Sequence, residues 1–331
     1  MKDLLNLSQG TLKSLGILDW GYSEESLPHS MNHYEAWVKQ DLHGPLSYLS
    51  DHRKDLRSDI KNIYPEFQSA LVFLFSYQEA KKWLLDQNQH EVAAYALGFE
   101  GQDYHVILKE KLNSIYQTLK ESNPELKHFV ALDAQPVLER DLAMRSGLGW
   151  FGKNSMLIHQ KEGSYFIIGS LLLNQKLNLP SPKLDIDHCG QCTACIEACP
   201  TKAIDGESRT LIASQCISTY TIEIFKEAEA PKGFDQSRGE FFGCDICQDV
   251  CPWNRKPLAR VIGTLNLPEK FLFLKEWFFS LPIRDLIQII EKETNRGLKR
   301  KLSGTPFDRP GKEGWLKNLK AVLSKSSRSD S

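Results

Sequence analysis

The first four cysteines of this sequence read Cys189-Gly-Gln-Cys192-Thr-Ala-Cys195-Ile-Glu-Ala-Cys199-Pro200, a C-x2-C-x2-C-x3-C-P run. Two-residue steps let one tight loop gather three thiolates around one face of an iron–sulfur cube. The fourth cysteine, carried off on a short helix ahead of the proline, reaches a second cube. An incomplete copy follows, Cys244-x2-Cys247-x3-Cys251-Pro252, and Cys216 stands alone upstream as the replacement for its missing leader. The pattern predicts two [4Fe–4S] clusters, one on Cys189, Cys192, Cys195 and Cys251, the other on Cys199, Cys216, Cys244 and Cys247. Zinc would take fewer cysteines in C-x2-C pairs without the C-P endings. Disulfides are not expected in a cytosolic chain of this size. Two clusters about one short electron hop apart form a wire for single electrons, and a wire requires an electron consumer elsewhere in the chain.

All eight cysteines lie between Cys189 and Cys251, so the 188 residues ahead of them must supply that consumer. The apolar run Ser69–Tyr77 reads as a buried strand, and Tyr104–Ser122 places Val106, Ile107, Leu112, Ile115, Tyr116 and Leu119 at a helical period. His128–Leu132 reads as a short strand ending at Asp133, and Val137–Ser146 as a helix stopped by Gly147. Ser155–His159 and Tyr165–Leu173, separated by Lys161-Glu162-Gly163, suggest a hairpin. The expected fold class is therefore α/β (α+β), with a first domain over 1–180 and a two-cluster domain over 181–260. A helical, basic region over 261–324 contains candidate helices at Phe271–Phe279 and Leu281–Glu291, and the polar stretch 325–331 is expected to be disordered. Gly147-Leu-Gly149-Trp-Phe-Gly152 fits the dinucleotide fingerprint G-x-G-x-x-G, but here a helix precedes and a strand follows, the reverse of what a nicotinamide site needs. Lys153 is followed by Asn154, which also excludes a Walker loop. These glycines are expected instead to let the backbone approach a large flat ligand.

Net charge is −1, against a strongly nucleic-acid-binding protein overall. The charge is uneven, however, with 11 basic and 4 acidic residues from Lys292 to Ser331. That end is either a phosphate-binding surface or a solvated terminal helix, and the charge pattern alone does not separate the two. No apolar run is long enough to cross a bilayer, and the first residues lack an apolar core, a cleavage site and a twin-arginine signal. The expectation is a cytoplasmic protein that uses no membrane, and nothing suggests an obligate dimer, so a monomer is expected.

The segment Asp133-Ala-Gln-Pro136-Val-Leu-Glu139-Arg140, then Gly147-Leu-Gly-Trp-Phe-Gly-Lys153-Asn154, then the cysteine array, resembles the epoxyqueuosine reductase family over nearly the whole chain. Asp103-Tyr104-His105 and the stretch from Cys216-Ile217-Ser218 to Thr221-Ile222-Glu223 resemble it too. The resemblance implies a nitroreductase-like cobalamin-binding domain ahead of a ferredoxin-like domain. The implied reaction is reduction of the epoxide of epoxyqueuosine, at the wobble position in the anticodon loop of certain tRNAs, to the alkene of queuosine. Cobalamin enters only through this resemblance. The same resemblance makes Asp133 the acid that protonates the departing oxygen, with a pKa raised by burial beside the corrin. It also nominates Arg57, Tyr104, His105, Asn154, Ser155 and Ser218 as cobalamin contacts, without making His105 a cobalt ligand. Each nominee has a plainer reading, as a surface charge, a helix start, a turn or a cap. For tRNA phosphates the basic end offers Lys299, Arg300, Lys301, Arg309, Lys312, Lys317 and Lys320, and Trp315 is a stacking or a packing residue. Where the family usually has an Arg-Asn pair this chain has Lys317-Asn318. The protein that donates electrons to the clusters is not identified by the sequence.

Two other functions fit parts of the pattern. A corrinoid reductive dehalogenase resembles the same combination of domains but typically carries a twin-arginine signal and needs no basic end. A ferredoxin-type carrier needs only Cys189–Pro252 and leaves the long first domain without a purpose.

Overall fold

The computed structural model describes residues 9–329. Its contacts divide the chain into two compact units that do not follow the expected consecutive boundaries. The first comprises residues 1–76, 105–192 and 253–257, and the second comprises 77–104, 193–252 and 258–331. The cysteine-rich stretch and the C-terminal helices thus fold largely as one body, joined by a segment from the first half of the sequence. Burial explains why: Val92 bridges Phe242, and Ala93 N–H donates to the Phe242 carbonyl at 2.8 Å, so residues near 92 complete the backbone pairing of this body.

The first unit is built on an antiparallel sheet in the order β1-β2-β6-β3, with β1 Ile17–Ser23, β2 Ser69–Ser76, β3 His128–Ala131 and β6 Phe166–Leu173. Successive side chains of β2 point to opposite faces. Ala70, Val72 and Leu74 join a core with Leu142 and Ala143 of the helix Glu139–Arg145. On β6, Gly169 leaves room beside Phe75 and Leu112, where an added Cβ would fall 3.0–3.1 Å from both side chains, so the long helix Tyr104–Ser122 packs over that face. With both faces covered, β2 is apolar along nearly its whole length, which is why it reads as a continuous run.

The expected hairpin between 155–159 and 165–173 does not form. Strand β5, Leu157–Ile158, pairs with β4, Trp150–Phe151, and β6 pairs with β2 and β3. His159 and Gly163 close a tight turn by themselves, so the Lys161-Glu162-Gly163 signal marks a turn and not a two-strand ladder. The glycines of the false fingerprint also have internal purposes. Gly147, at φ +76°, ends the preceding helix. A Cβ on Gly149 would lie 2.1 Å from the Ile158 carbonyl oxygen, and one on Gly152 would lie 2.6 Å from Asn154 Oδ1. Within the chain, the close approach that Gly149 and Gly152 allow is that of β4 to β5.

The second unit contains a two-stranded ribbon, β7 (Ile204–Asp205) with β8 (Thr210–Leu211), and a helical C-terminal part. Its core is aromatic. Trp315 is buried and stacks on Phe242 and Phe278 at 5.7 and 5.4 Å between centroids, while its indole N–H donates to the Phe307 carbonyl at 2.9 Å. Trp315 is therefore a packing residue. The final helix runs Gly311–Ser329, so the tail expected to be disordered from Lys325 is helical as far as Ser329, and residues 330–331 lie outside the described residues. Extending an existing helix by a turn costs little. Among the described residues no helix is long and apolar enough to cross a membrane.

Candidate functional site

In the first unit, β3 ends at Ala131 and delivers Asp133, while the first turn of the helix Tyr104–Ser122 delivers His105. His105 Nε2 and Asp133 Oδ1 meet in a hydrogen bond between residues 28 positions apart. The two side chains are 32% and 43% exposed. The burial expected to raise the Asp133 carboxyl is thus not supplied by the chain's own packing. The reason is local: Leu132 and Gln135 close a turn on each other and carry Asp133 outward. A ring nitrogen against a carboxylate oxygen shares one hydrogen with it, which fixes the carboxyl and gives it a route for protons.

Glu139 opens the next helix. Its Oε1 is sealed from solvent and has no hydrogen-bond partner. Burial, and then the neighbouring Asp133 carboxylate, push the Glu139 carboxyl well above the usual range, against a smaller pull from Arg140 and His105. Arg140 donates to the Ser155 carbonyl, pinning the loop after β4. Glu139 is quoted in the family motif, yet nothing in its sequence position distinguishes it from an ordinary acidic residue at a helix start.

The other expected cobalamin contacts are distributed over both units. Arg57, in the first, is buried, donates to the Tyr48 carbonyl at 3.3 Å and lies over the Tyr34 ring. Asn154 is buried in its own turn, with Oδ1 accepting from Met156 N–H at 3.2 Å, and Ser155 holds the turn at φ +62°. Tyr104, in the second unit, is buried against Tyr95 and Phe99. Ser218 follows Cys216, and its backbone amide is directed at the Cys216 thiol. Of this group the structure brings together His105 and Asp133, and the Ser155 carbonyl with Arg140.

A bound corrinoid would need polar groups for its amide rim and apolar surface for its ring. His105 and Asp133 offer the first, and Val106, next along the helix with its side chain largely exposed, offers the second. Among the described residues no three His, Cys, Asp or Glu side chains gather closely enough to hold a lone metal ion.

The cysteines present a different environment. All eight are free thiols. Cys199, Cys216, Cys244 and Cys247 all belong to the second unit, as do Cys195 and Cys251, whereas Cys189 and Cys192 belong to the first. Burial raises the Cys216, Cys244 and Cys247 thiols, and for Cys247 the neighbouring Cys216, Cys195 and Cys199 raise it further. Thiols crowded in this way resist ionisation until a cation neutralises them, which iron does. Backbone donors are already aimed at the sulfurs: Ala203 N–H reaches Cys199 Sγ at 3.3 Å, and the amides of Thr219 and Ser218 serve Cys216. The donor set therefore fits an iron–sulfur cluster.

Charged side chains support both cysteine loops, and sequence reading missed them. Lys81 is buried and pairs with Asp245 at 3.1 Å and Asp249 at 2.5 Å, one on either side of Cys247 in the sequence. Asp245 also accepts from Ala94 N–H at 3.0 Å, and Asp249 from Arg238 at 2.8 Å. Lys153, placed in a rejected motif, donates to the Gly190 and Cys192 carbonyls at 2.8 and 3.0 Å and so ties down the first C-x2-C loop. A lysine on the apolar side of a helix pattern, Lys81 beside Lys82 in QEAKKWLLD, is the available signal for the first; the second has none.

The seven basic residues expected to meet tRNA do not form one free surface. Lys317 donates to the Tyr220 and Ile224 carbonyls and lies 3.8 Å from the Tyr220 ring centroid. Asn318 is buried and donates to the Thr221 and Phe241 carbonyls at 2.7 and 2.9 Å. The Lys317-Asn318 pair thus caps the helix Ile217–Ile222 that follows Cys216. Arg309 pairs with Glu223 at 2.8 Å, Lys320 with Glu291 at 2.9 Å, and Lys312 with the Glu291 and Glu293 carbonyls. Lys301 stands 3.6 Å from Glu293 and over the Trp277 ring. Lys299 and Arg300 are exposed on the same helix, Asn295–Leu302.

Residues 57–133 match the family model described as "Epoxyqueuosine reductase QueG, DUF1730", and residues 188–254 match that of the "4Fe-4S double cluster binding domain". The epoxyqueuosine reductase of Cyclobacterium marinum is 38% identical over 240 residues, 72% of this chain and 74% of its own. In fold, the chain is similar to an epoxyqueuosine reductase from Streptococcus thermophilus, with a TM-score of 0.77 at 21% identity over 98% of this chain and 82% of that one. It is also similar to an epoxyqueuosine reductase solved with an epoxyqueuosine-modified tRNA-Tyr stem loop, with a TM-score of 0.71 at 22% identity over 98% and 80%.

Proposed function

This chain belongs to the epoxyqueuosine reductase family, and we propose from that premise that it reduces the epoxide of epoxyqueuosine in tRNA to the alkene of queuosine through an acid site at Asp133. The observation that carries the reading is the contact of His105 with Asp133, two residues of the family's motifs, in a chain that also has a double 4Fe-4S cluster domain. Loss of one oxygen needs two electrons and two protons. Cys189, Cys192, Cys195 and Cys251 would hold one cluster and Cys199, Cys216, Cys244 and Cys247 the other, and the pair would supply single electrons taken from a donor protein. Cobalamin, when bound, supplies a cobalt centre able to store reduced states between those single deliveries.

The chain's own residues do the rest. His105 orients the Asp133 carboxyl, and Asp133 passes a proton to the oxygen as its bond to carbon breaks. The cobalamin contacts of this proposal are Arg57, Tyr104, His105, Asp133, Asn154, Ser155 and Ser218, of which His105 and Asp133 meet each other directly. A tRNA stem loop, the partner seen with a relative, would meet the exposed Lys299 and Arg300 first, with Lys301 beside them.

The test is mass spectrometry of tRNA nucleosides from cells lacking the gene, with and without its restoration. Epoxyqueuosine that accumulates, and on restoration converts to the species one oxygen lighter, supports the proposal. Unchanged queuosine in cells without a redundant enzyme would sink it.

A further inference from the structure

The false dinucleotide fingerprint runs directly into Lys153, and this segment carries side chains that meet the first cysteine loop. We propose that the turn after β4 is the seat of the first cluster, and that the Lys153 ammonium raises the reduction potential of that cluster. This rests on the two-cluster part of the reading above and is independent of the substrate.

Contacts of two chemically different kinds join the turn to the loop, all of them within the first unit. Lys153 Nζ donates to the Gly190 carbonyl at 2.8 Å and to the Cys192 carbonyl at 3.0 Å. Three residues earlier, the buried Trp150 ring packs edge-on against His188, which precedes Cys189, at 4.7 Å between centroids. It packs also against Trp253, two residues past Cys251, at 4.9 Å, and the His188 and Trp253 rings lie 5.6 Å apart. The flanks of Cys189 and Cys251, assigned to one cluster on spacing, thus converge on one tryptophan.

The lysine does more than hold the loop in place. Cys189 to Cys192 form a tight turn, closed by Cys192 N–H on the Cys189 carbonyl at 3.0 Å, with Gly190 at φ +49°. In a trans peptide unit the N–H lies antiparallel to the C=O. Carbonyls of Gly190 and Cys192 drawn to Lys153 therefore turn the Gln191 and Thr193 N–H groups away from it. Among the described residues neither N–H has a partner, which leaves both available to a sulfur. Hydrogen bonds to the sulfurs and a nearby cation both favour the more negative, reduced cluster, and so raise its potential. Beside Cys244 and Cys247 the cations Lys81 and Arg238 are already matched by Asp245, Asp249 and Glu240. Lys153 meets carbonyls instead, and among the described residues no carboxylate cancels its charge. The step it affects is the gain of a single electron from the donor protein, with no bond made or broken.

The experiment compares wild type, Lys153→Met, Lys153→Arg and Cys192→Ser, each reconstituted with iron and sulfide. Iron content is measured, and each cluster is titrated with reductant and followed by paramagnetic resonance. The signal missing from Cys192→Ser identifies the first cluster. Methionine keeps the reach of the side chain and removes its charge and its donors. The expected result in Lys153→Met is a tenfold shift of the first cluster's one-electron equilibrium toward the oxidised state, a midpoint lower by about 59 mV. The second midpoint should not move, and Lys153→Arg should recover most of the shift. Iron lost from the first cluster alone in Lys153→Met, and regained in Lys153→Arg, also supports the seat. Wild-type iron and midpoints in Lys153→Met overturn the proposal while leaving the cluster assignment standing. A raised first midpoint, or an equal shift of both, overturns it in the same way. A wild-type chain that assembles fewer than two clusters overturns the assignment itself, and the proposal with it.

Discussion

The cysteine loops of the second unit and the acid site of the first solve opposite electrostatic problems. Around Cys244 and Cys247 the chain buries its charges and pairs them, with Lys81 between Asp245 and Asp249 and Arg238 beyond. The charges of Lys81, Asp245, Asp249 and Arg238 are held by fixed partners, which suits a site that must hold a cluster still while its charge changes by one. Around Asp133 the carboxyl is open to solvent and its histidine partner is half-exposed, and on the helix that follows Glu139 Oε1 has no hydrogen-bond partner. Electron transfer asks for rigidity, whereas proton transfer asks for groups whose protons can leave. The contrast lies in how completely each site satisfies its own polar atoms.

The largest effect should come from removing a cysteine. Cys247→Ser should cost the chain one cluster, halve its bound iron and stop turnover, as iron analysis and the product assay would report. Full iron content in that variant would break the assignment of Cys247. Asp133→Asn should retain both clusters and lower the rate by about 10²–10⁴-fold, and undiminished turnover would remove Asp133 from the mechanism.

Lys81→Met sharpens the other half of the comparison. It strips the cation from a buried carboxylate and should lower stability by about 3–5 kcal/mol, read as a fall in the denaturation midpoint. An unchanged midpoint would mean that the network is not the support described above.

The smallest effect concerns Lys317, whose ammonium is held down to about 8 by burial. The free side chain titrates near 10.4, so between these values the unfolded chain binds more protons than the folded one. The penalty from this group is therefore full below about pH 8 and is relieved as pH rises toward about 10.4. Stability of wild type relative to Lys317→Gln should increase over that window. A flat difference would contradict the capping role, and a loss of tRNA affinity in Lys317→Gln at unchanged stability would restore it as a phosphate contact.

The two sites also differ in how much of them could be read from sequence. Thiolate spacing in C-x2-C-x2-C-x3-C-P is itself the geometry of a cluster loop, so the cysteines announce their chemistry locally. β2, the long helix Tyr104–Ser122 and β3 are equally legible, because each carries its own period and its own stop. The acid site has no such local code. His105 reaches Asp133 only after β3 has paired with β6 and the helix has packed on the sheet, and only the family resemblance pointed to Asp133. The basic end misled for a related reason. Charge counts do not reveal that Lys317 would cap a helix or that Arg309 would find Glu223, since both partners lie more than 80 residues earlier. The hairpin around Gly163 failed because the turn signal was real while the pairing of its flanks was settled by strands elsewhere.

The central claim is that the cysteine wire feeds an epoxide reduction completed at Asp133. A single-turnover experiment tests it most directly. Chain loaded with clusters and cobalamin is reduced, freed of excess reductant and mixed with an epoxyqueuosine-modified stem loop, while cluster reduction is followed by paramagnetic resonance and the nucleoside by mass. The account predicts that the reduced-cluster signal decays as the nucleoside loses one oxygen, and that in Asp133→Asn both the signal and the epoxide persist. Product formed while the clusters stay reduced, or formed equally well by Asp133→Asn, would contradict it.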